Sequence, residues 1–108
     1  MHAYVHEAQL QMCAGVDPAA VGAAVTTALC GHWDHEGACR WPHNNAIAGE
    51  GGRMTFRTLF VAPEADADTI RALIDAALVA DDGWTVTHSG PREVHPSEDA
   101  LADRLTAR

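Results

Sequence analysis

Cys30, His32, His35, Cys39 and His43 put five soft or borderline metal ligands into fourteen residues, with the carboxylates of Asp34 and Glu36 among them. Zinc takes four ligands of these types, usually from short loops whose bends are set by glycine. Gly31, Gly37 and Pro42 supply such bends. Cys30 and His32 have the spacing of a tight knuckle, while His35, Cys39 and His43 recur every four residues. On a helix those three would share a face, but Gly37 and Pro42 oppose a helix there, so a knuckle-like loop is expected.

The spacing matches neither Cys-x2-Cys with His-x3–5-His nor paired Cys-x2-Cys, so the signal is local density rather than a motif. Mixed thiolate and imidazole favour zinc, with nickel, copper or iron also admitted by ligand type. The expected ligands are His32, His35, Cys39 and His43. Cys39 and His43 form the centre of the set, and Cys30 is left out because it closes the preceding helix. Three ligands and a water would make a catalytic site, four a structural one.

Two other classes compete with this reading. In a metal-independent enzyme, Cys39 would be the nucleophile or His35 and His43 the acid and base, with Asp34 or Glu36 orienting a histidine. In a non-catalytic module, the open face of a sheet would hold two copies together. The plainest alternative is a loop of partly exposed histidines around two buried cysteines, with Trp33 and Trp41 packed beneath.

Composition narrows the setting. The chain has 108 residues, 47% of them hydrophobic and 20% charged, which suits one folded domain with a real core. Fifteen carboxylates against seven arginines, with no lysine, give a net charge of −8. Residues 1–54 contribute 2 − 5 = −3 and residues 55–108 contribute 5 − 10 = −5, so no basic half is hidden. Neither a nucleic acid nor an anionic membrane is an expected partner, because phosphate binding rests on clustered Lys and Arg. Three cysteines are an odd number, and no charged start followed by an apolar run opens the chain. Metal or thiol chemistry in the cytoplasm is therefore expected before a disulfide scaffold.

The elements that must position the cluster follow from periodicity. Residues 3–12 alternate, with Tyr4, His6, Ala8, Leu10 and Met12 on one face of a strand. Asp17-Pro18 is a helix start, followed by Val21, Ala24, Val25, Ala28 and Leu29 at helical spacing. Residues 43–48 and 53–62 read as a hairpin across Gly49-Glu50-Gly51-Gly52, and the second strand is apolar on both faces, as a central strand is. A second helix starts near Asp66 and carries Ile70, Leu73, Ile74, Ala77 and Leu78. Residues 84–89 form a last strand, with Trp84, Val86 and His88 on one face and Gly90-Pro91 ending it. Pro96-Ser97-Glu98 opens a short helix whose Leu101 and Leu105 dock on the body.

That order, β-α-β-β-α-β, is the ferredoxin-like α+β sandwich: a four-stranded antiparallel sheet with two helices on one face, a single domain over 1–108. In it the cluster lies at the end of the sheet holding His2, His88 and the 63–66 loop, away from Gly51 and Cys13. His6 is expected to be a hydrogen-bonded core histidine, His2 and His95 exposed, and Cys13 a small buried apolar group. Arg57 either pairs with Glu7 or binds an anion, and the pairing is the simpler expectation.

Overall fold

The computed structural model describes residues 1–30 and 41–107. Along them run β1 (His2–Met12), α1 (Ala19–Cys30), β2 (His43–Glu50), β3 (Arg53–Ala62), α2 (Ala67–Val79), β4 (Trp84–Arg92) and α3 (Asp99–Thr106). The result is a small α+β fold, an open antiparallel sheet in the order β2-β3-β1-β4 with three helices. Among the described residues, no helix is long and apolar enough to cross a membrane.

The main core lies between the sheet and the α1/α2 pair. Ala8 and Leu10 of β1 and Phe56 and Phe60 of β3 meet Val21, Val25 and Leu29 of α1 and Ile70, Ile74 and Leu78 of α2. Each large apolar side chain removed from water contributes on the order of 1.5–3 kcal/mol. The i, i+4 spacing of these helical residues makes the buried stripe. Leu73, read as part of that stripe, is 37% exposed. At the start of α1, Asp17 accepts from the Ala19 N–H at 2.9 Å, satisfying one orphan donor of the first turn.

A smaller core lies on the other face of the sheet. Ala102 and Leu105 of α3 cover Val5 of β1 and Leu59 and Val61 of β3. The face expected to be open is thus partly covered by a third helix. This also explains why β3 is apolar on both faces: it is a central strand with a helical layer on each side. The Glu50–Arg53 pair closes the β2–β3 hairpin through Gly51 and Gly52, at φ 66° and 82°. Two successive left-handed residues are what a two-residue turn matched to strand twist requires.

β4 departs from expectation twice. It continues through Gly90 and Pro91 to Arg92, because it is an edge strand and a missing N–H on its outer side breaks no ladder. Its register also slips: Leu10 faces Val86, but Gln9 faces His88, leaving Thr87 as an extra residue. Trp84 and Val86 pack against the main core, whereas His88 is exposed and faces Gln9, not the helices. His88 is therefore delivered neither to the apolar face nor to the end of the sheet that holds His2.

The entry to β2 lies where the topology places it. His43 faces Phe60, the Val61 N–H donates to the Pro42 carbonyl at 3.0 Å, and His2 faces Ala62 at the same end. The glycine turn lies opposite, where the Met12 N–H donates to Gly52 and the Cys13 N–H to Gly83.

Candidate functional site

Of the four expected ligands, His43 is described; His32, His35 and Cys39 lie outside the described residues. Among the described residues, no group of three or more His, Cys, Asp or Glu side chains converges as a metal site.

His43 is the first residue of β2, half-buried beneath α1. Its inward direction follows from strand alternation, which puts His43, Asn45 and Ile47 on the helix-facing side of β2. The ring is held at both nitrogens, with Nδ1 2.9 Å from the Trp41 carbonyl and Nε2 3.0 Å from the Thr26 hydroxyl. Behind Thr26 the polar chain continues. Asn45 Nδ2 donates to Thr26 Oγ1 at 3.1 Å and to the Gly22 carbonyl at 3.2 Å, and the Thr58 hydroxyl donates to Asn45 Oδ1 at 3.1 Å. Thr26 and Thr58 are 4% and 0% exposed, so these bonds satisfy groups that water cannot reach.

Cys30, the last residue of α1, brings its Sγ to 3.8 Å from His43 Nδ1. The chain therefore leaves α1 and enters β2 at nearly the same point. Cys30 is disulfide-bonded, while Cys13 is free and exposed, not buried as expected. Cys13 sits past the end of β1, where the strand's alternation no longer turns it inward; its Sγ lies 3.5 Å from the Asp82 carbonyl. Trp41 is half-buried against the main core.

The other singled-out residues serve the scaffold. His6 is a buried, hydrogen-bonded histidine with Asp75 at 2.8 Å. His95 accepts from the Ser97 N–H at the turn before α3. Arg57 pairs with Glu7 and Glu98, each at 2.6 Å. Glu98 raises the Arg57 pKa through their hydrogen bond, against a smaller downward pull from burial.

Thr26, Asn45 and Thr58 are the members of the His43 environment that periodicity did not single out. Their signal was a polar residue at an inward position, Asn45 between His43 and Ile47 and Thr58 between Phe56 and Phe60. No family model, curated protein or solved structure matches this chain.

Proposed function

We propose that this chain is a small metal-binding protein whose reduced form holds a transition metal, zinc by ligand type, through His32, His35, Cys39 and His43. The observation that carries the reading is the 3.8 Å approach of Cys30 Sγ to His43 Nδ1. Cys30 and His43, which bracket the ligand-rich segment in sequence, meet at one point on the fold, so the chain between them is tethered there at both ends. The tether lowers the entropy cost of gathering four ligands around one ion.

The disulfide at Cys30 makes reduction a condition of the proposal, since zinc binds thiolate and not a disulfide. A cytoplasmic location, where thiols are kept reduced, belongs to the same reading. So does a ferredoxin-like single domain over 1–108, supported by the β-α-β-β-α-β order with strands β2-β3-β1-β4 and with α3 as an addition. The net charge of −8 favours a cation over a polyanion as the partner. Any homodimer through the second sheet face would use the strip that α3 leaves open, where Asn44, Ala46 and Ala48 of β2 are exposed.

Elemental analysis of untagged, reduced protein tests the proposal. About one equivalent of metal per chain is expected, falling below half in Cys39→Ser and in His43→Asn. Full occupancy in both variants removes these ligands from the assignment. No metal in the wild-type protein ends the metal reading, and one unusually reactive thiol in that protein would favour the enzyme instead.

A further inference from the structure

We propose that β2 is a pairing edge: two copies of the chain join β2 to β2, antiparallel, across a twofold axis centred on Ala46, and so merge two four-stranded sheets into one. The inference is independent of the metal-binding reading and concerns the edge of the sheet, not its second face.

The two edges of the sheet are built differently. Among the described residues, β2 pairs only with β3, and β4 only with β1. An edge strand is a template for a further strand unless a charge, a proline or a bulge blocks it. β4 has all three devices, in Arg92, Pro91 and the extra residue Thr87. β2 reads His-Asn-Asn-Ala-Ile-Ala-Gly-Glu, with no proline and no arginine, and its one carboxylate is the last residue, beside the turn. Its register against β3 runs without a slip from His43 to Glu50.

The hairpin fixes which backbone groups the edge offers. Glu50 and Arg53 close a two-residue turn, and such a closing pair exchanges both of its backbone bonds. The even-numbered residues of β2 therefore turn N–H and C=O toward β3, as the Pro42 carbonyl just ahead of them does in accepting from the Val61 N–H. Asn45 and Ile47 turn theirs outward. With the axis at Ala46, Asn45 of one copy lies opposite Ile47 of the other, and each such pair exchanges both of its backbone bonds. On the second face Ala46 then meets Ala46 and Asn44 meets Ala48, side chains that are all exposed in the single chain.

Charge and size favour a second copy at this edge. At a net charge of −8 two chains repel, so self-association calls for an uncharged contact. Residues 43–49 carry no Asp, Glu or Arg, and in this register the two Glu50 side chains stand at opposite ends of the joint, about 26 Å apart. The helix above the strand is also small-sided there. Gly22 of α1 accepts from Asn45 Nδ2, and its neighbours on α1 include Ala19 and Ala23. The assembly closes at two copies, because the axis uses the outward groups of both β2 strands and the β4 edges are guarded.

Sedimentation of the wild-type chain, followed up to about 1 mM, tests the pairing, since even a millimolar interface is half-occupied there. The expected result is a doubling of mass with concentration, lost in Ala46→Lys, which sets two like charges directly opposite each other on an exposed position. Thiol crosslinking tests the register in a Cys13→Ser background. Ala46→Cys should form a covalent dimer on mild oxidation, because residues facing each other in a non-hydrogen-bonded pair have Cα atoms about 4.5 Å apart, within disulfide reach. Ala48→Cys should not, because its two copies lie about 13 Å apart along the strands. A wild-type chain that stays monomeric throughout overturns the proposal, as does a folded Ala46→Lys that dimerises like the wild type. Crosslinking through Ala48→Cys as readily as through Ala46→Cys overturns it too. If Ala46→Lys does not fold, the wild-type sedimentation and the crosslinking pair decide.

Discussion

His6 Nε2 stands 2.8 Å from Asp75 Oδ1, joining the middle of β1 to α2 through a ring that is 3% exposed. Arg71 completes the joint, reaching His6 Nδ1 at 3.2 Å and the Val5 carbonyl at 2.7 Å. Arginine only donates, so Nδ1 accepts and Nε2–H donates to Asp75. The guanidinium also lies over Phe60 and Tyr4, 5.4 Å and 5.9 Å from their ring centroids. Burial lowers the Arg71 pKa, opposed by the charges of Asp68, Tyr4 and Asp75. His6→Ala should cost about 2–4 kcal/mol, since it opens a cavity and removes one acceptor of the half-buried Arg71. Urea unfolding measures it; a loss below roughly 0.5 kcal/mol would mean that the ring does not bridge strand and helix.

The docking of α3 should depend on pH. The Arg57 hydrogen bond holds the Glu98 carboxyl below its ordinary value, burial pulls it up, and the His95 N–H pulls it down again. A depressed folded pKa stabilises the fold above the unfolded value, and that stability is lost as pH falls through the lowered folded value. The second core, under Ala102 and Leu105, should therefore loosen as pH falls below about 4.5, the ordinary value for this carboxyl. Glu98→Gln should flatten this dependence and cost on the order of 1 kcal/mol at neutral pH. Hydrogen exchange of the α3 amides, followed against pH in both proteins, reads it; identical pH profiles would count against the ion pair as the anchor.

Regular periodicity made much of this fold legible. The alternation of residues 3–12, the doubly apolar 53–62 and the Ile70, Ile74, Leu78 stripe each correspond to an observed element. What failed to show was tertiary in origin. Thr87 adds one residue to β4 without changing local composition, so the flip of His88 is invisible until β1 is set beside it. Pro91 reads as a strand breaker unless β4 is known to be an edge. The polar chain behind His43 joins Thr26, Asn45 and Thr58, up to 32 positions apart, and no spacing rule links them. The ligand set fares differently again, because three of its four members lie outside the described residues.

The slip in β4 can be tested by two charge substitutions. Val86 faces Leu10 and is packed against the main core, while His88, two residues on, faces Gln9 and is exposed. In an unbroken strand both side chains would share one face, and a carboxylate at either would be driven into apolar surroundings. With Thr87 as the extra residue, only position 86 carries that cost. Val86→Asp should lose roughly 2–4 kcal/mol, from forfeited apolar burial and from an unpaired charge held near the core. His88→Asp should change stability by less than about 0.5 kcal/mol, as surface substitutions do. Chemical denaturation of the two variants measures the difference directly. Comparable losses at both positions would mean that β4 runs without the slip and that His88 belongs on the helix-facing side, where it would join the main core.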